Sequence, residues 1–249
     1  MEWFYMFKKL IKVLIPLLLC TPIINMSITQ ANDDSNRFPI LVDTIKDKRA
    51  KLTARYEPNN HTYCSAIIIS PTLALTAKHC HLNKSSKEYS GTIYPGQSGM
   101  STPYGHMNIT NYIPNDANDI AILKGNEIDQ SNDYKHYMKD AHIDLTPFSK
   151  EQIKSLKGKE VYTYGYPYNQ GGLKQYKSTG IITNYNPVTD ELETTLPAVE
   201  GQSGSGVFLK DNNQFIGILY GSYNTNQGLS GKVMTINERL YNWINTYKN

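Results

Sequence analysis

The chain has 249 residues, a formal net charge of +3, 39% hydrophobic residues and 19% charged ones. Such a composition excludes an intrinsically disordered chain, and so small a basic excess excludes a strongly basic nucleic-acid-binding protein. The length suffices for one large domain or two small ones, and 19 tyrosines and 12 prolines tilt the reading toward β structure.

The first 31 residues are set apart. Lys8, Lys9 and Lys12 precede an apolar stretch that runs to about Ile24, and small polar residues follow up to Ala31. This three-part order predicts a secretory signal peptide over 1–31, cleaved after "TQA". A membrane anchor is the competing reading, but the apolar stretch is short and interrupted by Pro16. Cys20 follows Leu19, where lipidation requires a small residue. Cleavage removes three lysines and Glu2, leaving 22 basic and 21 acidic residues, a net charge of +1. Export also leaves two cysteines, Cys64 and Cys80, in an oxidising compartment. A bridge between them is expected to contribute about 3 kcal/mol by restricting the unfolded chain; two free buried thiols are the alternative. His79 and His81 beside Cys80 lack metal-ligand spacing with other residues, so no metal and no cofactor are expected.

Residues 32–47 are polar and weakly patterned and are read as a propeptide or an N-terminal arm, with Arg37–Phe38 a candidate processing point that would make the uncleaved chain a zymogen. Short strand candidates follow: "KLTARY", "YCSAIIIS", "TLALTA", "DIAIL", "EVYTYGY", "STGIITNY", "ELETTL", "SGVFL" and "FIGILYG". Turn signals such as "EPNN", "NPVTD" and "KDNN" separate them. Many short strands with little helix between them predict an all-β sandwich or barrels. Two helices are expected. One is "TPFSKEQIKSL", capped by Thr146 or Ser149. The other is the C-terminal "INERLYNWINTYK", where Ile236, Leu240, Trp243 and Ile244 share one face. "HIDLTP", 142–147, reads as a crossing between two β halves, which divides the chain into 48–144 and 145–249.

Three places combine reactive side chains with rigid surroundings. "LTAKHCH" puts His79 at the end of an apolar strand beside Cys80. "NDIAIL" puts Asp119 at the head of another strand. "GQSGSG" puts Ser203 between glycines. A serine hydroxyl attacks only with a general base in reach, and a histidine base needs a carboxylate to fix its tautomer. A developing oxyanion needs preorganised N–H donors, which a glycine-bounded turn can aim. Ser205, one step on, points elsewhere. All six histidines, His61, His79, His81, His106, His136 and His142, precede Ser203, so an order with histidine last is impossible. An aspartate-first order would have to use Asp43, without the alternating strand–helix pattern that accompanies it. His, Asp, Ser remains.

"CSAIIISPTLALTAKHC" resembles the cysteine-to-cysteine segment of chymotrypsin-like serine proteases, and "NDIAIL" the segment that holds their catalytic aspartate. "GQSGSGVF" resembles the nucleophile loop of the bacterial branch, the glutamyl endopeptidases and exfoliative toxins. "TIYPGQSGMSTPYG" and "YGYP" are similar to further segments of the secreted Gram-positive glutamyl endopeptidases. The likeness spans roughly residues 50 to 245. It implies two six-stranded antiparallel β-barrels with the site between them, Ser203 as nucleophile, His79 as general base and acid, and Asp119 as orienter. It also implies an oxyanion hole from the N–H groups of Gly201 and Ser203.

Two departures from that pattern matter. Trypsin-like enzymes carry an aspartate before the nucleophile that pairs with the new amino terminus; here the residue is Gln202, which has no charge to offer. Glutamyl endopeptidases grip the substrate glutamate with a hydroxyl residue and a histidine, and the matching positions here are Ala198 and Leu219. Glu200 lies at the expected rim. A glutamate without donors is costly to bury, so an apolar or small residue before the scissile bond is expected, with a basic one favoured only if Glu200 faces the pocket. The reading is thus a secreted, monomeric serine endopeptidase acting on proteins or peptides, with no nucleic-acid partner and no stable membrane association. The alternative is a toxin-like or binding module whose site is gated or very narrow.

Overall fold

The computed structural model describes residues 39–81, 84–226 and 228–248. The chain divides at Asp33/Asp34, and every described residue lies in the unit that starts at Asp34. The expected signal peptide therefore lies outside the described residues, as does the arm before Pro39.

Two antiparallel sheets dominate. The first runs β2 (Thr53–Pro58), β3 (Cys64–Ser70), β4 (Leu73–Thr76), β5 (Gly91–Pro95), β6 (Met107–Ile109), β7 (Asn111–Pro114) and β8 (Ala121–Lys124), in the order β6-β5-β2-β3-β4-β8-β7. Only Thr110 separates β6 from β7, and its N–H still donates to the Lys124 carbonyl at 3.1 Å. The pair thus acts as one bent strand between β5 and β8, and the sheet closes as a six-stranded barrel. The second sheet contains β9 (Glu160–Gly165), β10 (Tyr176–Asn186), β11 (Glu191–Pro197), β12 (Gly206–Leu209), β13 (Phe215–Thr225) and β14 (Gly228–Thr235). Its order, β10-β11-β14-β13-β12-β9, is closed by β9–β10 pairing.

The continuous apolar runs that mark the strands arise because both faces are buried. On β3, Ala66 and Ile68 fill the first barrel while Ile67 and Ile69 face the second. On β12, Val207 and Leu209 fill the second barrel while Phe208 faces the first. The shared core between them joins Ile67, Leu75 and Ile122 to Tyr162, Phe208 and Ile218. Alternation is preserved, but both alternants are apolar, as expected for strands sandwiched between two cores.

Three α-helices occur among the described residues: α1 (Asn132–Tyr137), α2 (Lys150–Ser155) and α3 (Glu238–Asn245). The cap of α2 is Ser149, whose hydroxyl accepts the Gln152 N–H while the Gln152 side chain accepts the Ser149 N–H. Asn237 caps α3, which buries Leu240 and Ile244 in the shared core. None of these helices is long and apolar enough to cross a membrane. Ahead of the barrels, the described part of the arm is not loose. Its short β1 (Ile40–Leu41) pairs with β10, and the Asp47 carboxylate accepts the Tyr164 hydroxyl at 2.6 Å.

Candidate active site

Each of the three sequence-selected residues is placed by a different element. His79 sits in a single 3-10 turn, Lys78–Cys80, that ends β4. A Cys64–Cys80 disulfide ties this turn to the start of β3, and the Tyr112 hydroxyl donates to the Lys78 carbonyl at 2.8 Å. Asp119 lies just before β8. Ser203 occupies the loop between β11 and β12, on the opposite barrel.

The structure brings the three together. His79 Nε2 is 2.9 Å from Ser203 Oγ, and Nδ1 is 2.7 Å from Asp119 Oδ2. Asp119 Oδ1 also accepts the His79 backbone N–H at 3.0 Å, so the carboxylate fixes both ring and main chain. With Nδ1–H directed at the carboxylate, Nε2 keeps its lone pair for the serine hydroxyl. Burial pushes the Asp119 carboxyl up. The two hydrogen bonds from His79 and the Lys78 charge outweigh burial and hold the carboxyl below its ordinary value of 3.8. Asp43 is not part of this arrangement; its carboxylate accepts the N–H groups of Ile45 and Lys46 within its own turn.

The loop around Ser203 is a rigid turn. Gly201 and Gly204 have φ of +87° and +89°, a region open to glycine. A Cβ on Gly201 would overlap the Tyr166 carbonyl, and one on Gly204 would overlap the Ser65 carbonyl. The N–H groups of Gln202, Gly204 and Ser205 are taken by the carbonyls of Val199, Leu219 and Gln202 at 3.2, 2.7 and 3.0 Å. Those of Gly201 and Ser203 have no acceptor among the described residues. Gln202 is buried, and its side-chain oxygen accepts the Val199 N–H at 2.9 Å, so it braces the turn.

A cavity opens on each side of Ser203. One, of about 330 Å³, includes Ala198, Leu219, Tyr220 and Leu229, with Glu200 at its lip. Ala198 and Leu219 are buried and present only carbon, while Glu200 is exposed. Burial first, then a hydrogen bond with Glu191, raises the Tyr220 hydroxyl far above the usual phenol range, so it stays neutral. The other cavity, of about 440 Å³, lies against the disulfide and includes His61, Tyr63, Tyr168 and Gly201. Tyr63 and Tyr168 stack there with ring centroids 6.1 Å apart. Neither tyrosine stood out in the sequence; Tyr63 is distinguished only by preceding Cys64. His79 and the two sulfurs lie within 4.8 Å of one another, but the sulfurs are bonded to each other and offer no thiolate to a metal.

Twin barrels with a serine, a histidine and an aspartate converging in the cleft define the chymotrypsin-like class. Residues 44–244 match the family described as Trypsin, and the chain belongs to that family. It is 29% identical over 161 residues to a glutamyl endopeptidase of Bacillus licheniformis, a match that covers 61% of this chain and 46% of that protein. The chain thus spans about half the length of this curated relative. Two solved structures share the fold. A Glu endopeptidase in complex with MPD superposes with a TM-score of 0.67 at 18% identity, covering 84% of this chain and 96% of that one. The protease Anisep from Arthrobacter nicotinovorans gives a TM-score of 0.61 at 16% identity, covering 79% and 95%.

Proposed function

We propose that the protein is an exported serine endopeptidase acting on protein or peptide substrates. The observation that carries this reading is the contact chain from Ser203 Oγ through His79 to Asp119, at 2.9 and 2.7 Å, beside two N–H groups without acceptors among the described residues. In this reading His79 Nε2 takes the Ser203 proton as Oγ attacks the peptide carbonyl. The N–H groups of Gly201 and Ser203 receive the oxyanion. The imidazolium, stabilised by Asp119, then protonates the departing amine, leaving an acyl-enzyme. Water, deprotonated by His79, releases the acid product. These steps require no cofactor.

Residues 1–31 are proposed as the signal peptide, 32–47 as the arm or propeptide, and 48–144 and 145–249 as the two halves of one monomeric protease domain without stable membrane association. The side chain before the scissile bond is assigned to the cavity of about 330 Å³. Its buried Ala198 and Leu219 favour an apolar or small residue, in contrast to what the name of the Bacillus licheniformis relative implies for that protein.

The test is labelling of the mature protein with a fluorophosphonate, alongside cleavage of a peptide library, with Ser203→Ala as the comparison. Labelling at Ser203, and cleavage that drops about a million-fold in the variant, are expected. Absence of an adduct on Ser203 sinks the enzyme reading. Ala198 and Leu219, where the glutamate-gripping pair would stand, favour one second reading, a toxin-like site of narrow taste; labelling without cleavage anywhere in the library supports it.

A further inference from the structure

Every peptide unit of the turn that carries Ser203 is held in orientation, and the critical holds come from outside the turn. The Glu200 carbonyl accepts the Tyr168 N–H at 2.8 Å. The Gly201 carbonyl accepts the Ser65 hydroxyl at 2.8 Å. The Ser203 carbonyl accepts the Ser65 N–H at 2.9 Å. Ser65 belongs to β3 of the opposite barrel and is fully buried. It is itself fixed, since its Oγ accepts the Tyr166 N–H at 3.1 Å and its carbonyl accepts the Thr76 hydroxyl at 2.8 Å.

No cis peptide bond is present among the described residues, so the N–H of each unit points opposite to its carbonyl. Tying back the Glu200 carbonyl therefore sets the direction of the Gly201 N–H. Tying back the Gly201 carbonyl blocks compensating rotation on the other side of the same residue. This matters because Gly201 has no Cβ to resist a flip of the neighbouring peptide planes. A flipped unit would present a carbonyl where the oxyanion needs a donor.

We propose that Ser65 and the Tyr168 N–H are positioning groups for the oxyanion hole, a pair of clamps bracketing Gly201, one of them reaching across the cleft. This rests on the serine-protease reading above. Loss of one oxyanion donor costs about 100- to 1,000-fold in kcat, so a donor that is only partly misdirected should cost tenfold to a hundredfold.

Two variants isolate the clamps. Ser65→Ala removes the hydroxyl and keeps the backbone N–H that serves Ser203. Tyr168→Pro, set against Tyr168→Ala, removes the N–H and closes a ring that fixes φ at this residue. Tyr168 opens a 3-10 turn, where proline fits, and Pro167 before it has φ −68° and ψ 130°, a conformation allowed ahead of proline. Ser178→Ala serves as the control for losing a buried hydroxyl; Ser178 is 1% exposed and its Oγ has no partner among the described residues.

The purified mature protein is assayed for kcat and KM. Affinity is measured for a peptide aldehyde, whose hemiacetal oxygen occupies the hole, and for a reduced-bond peptide that has no such oxygen. Ser65→Ala is expected to lose at least tenfold in kcat and in aldehyde affinity together, with KM and reduced-peptide affinity within twofold. Tyr168→Pro is expected to fall at least tenfold below Tyr168→Ala in the same two quantities. Ser178→Ala should stay within twofold of wild type throughout. If Ser65→Ala does not fold, the Tyr168 pair decides. Aldehyde affinity within twofold of the respective controls, in a wild-type background that labels and turns over, overturns the clamps alone. A wild type that neither labels at Ser203 nor turns over overturns the protease reading and the clamps with it.

Discussion

Replacing leucine by glutamate immediately before the scissile bond of an otherwise identical peptide should lower kcat/KM at least a hundredfold. The walls of the cavity of about 330 Å³ next to Ser203 include Ala198, Leu219 and Leu229. A carboxylate placed there lacks two charge-assisted hydrogen bonds that a donor-bearing pair at 198 and 219 would supply. At about 1.5–3 kcal/mol each, the deficit is about 3–6 kcal/mol. Leucine in the same place gains about 1.5–3 kcal/mol from burial. Water entering the open cleft returns part of the carboxylate's hydration, so the lower bound of the deficit, about 3 kcal/mol, is the safer figure. At about 1.4 kcal/mol per tenfold, that exceeds two decades. Glu200 at the lip adds a repulsion that salt screens, so the gap should narrow at high ionic strength without closing. The assay is kcat/KM on paired internally quenched peptides at two salt concentrations. Adding one donor by Ala198→Ser should recover about tenfold for the glutamate peptide. Glutamate cleaved as well as leucine, or better, would refute the assignment of this cavity.

Further outcomes follow from the same geometry. The native Asp119 carboxyl sits below its ordinary 3.8, so its contribution to stability is complete above that value and is lost as pH falls through the lower native one. Asp119→Asn should therefore flatten the acid end of the melting-temperature profile, and an unchanged acid slope would contradict this. Cys64→Ala with Cys80→Ala should cost about 3 kcal/mol. For a domain of this size that lowers Tm by about 6–12 °C, read by calorimetry under non-reducing conditions. Gly204→Ala should cost about 3 kcal/mol, because its φ of +89° and the Ser65 carbonyl both exclude a Cβ. By contrast, Gly221→Ala, whose Cβ meets nothing within 4 Å, should leave the melt within a degree or two.

How far the sequence could be read depended on whether the signal was local. β3, β4 and β12 were legible because both of their faces are buried and their runs are short and apolar. β14, "GLSGKVMT", and β5, "GTIYP", were missed, since glycine, lysine and serine interrupt β14 and β5 is short and ends in proline; pairing with β13 and β11, and with β2 and β6, recruits them. α1 was missed for the converse reason. It buries only Tyr134, with Ser131 capping it, and a six-residue helix of that kind has no apolar stripe. The arm around Ile40 looked unstructured because its two strand residues are held by hydrogen bonds to β10 and little else. Within the site, His79, Asp119 and Ser203 were found through their neighbours: the cysteine, the strand start and the glycines. Ser65 was invisible as a contact. Its partners Gly201 and Ser203 lie on the other barrel, more than 130 residues away, and nothing local in "YCSAI" distinguishes a clamping serine from a filler.

The two ends of the described chain exchange barrels. The arm that leads into the first barrel is stitched by β1 to β10 of the second. The helix that leaves the second, α3, is fastened back to the first, where Lys124 Nζ donates to the Tyr247 carbonyl at 2.8 Å and Arg239 to the Asn118 side chain at 3.1 Å. The barrels are therefore laced like two halves of a shoe. These ties add to the core the barrels share, so melting should register as one transition. The C-terminal tie lands beside the site itself, because Asn118 directly precedes Asp119, so removing the terminal helix would free the residue before the aspartate.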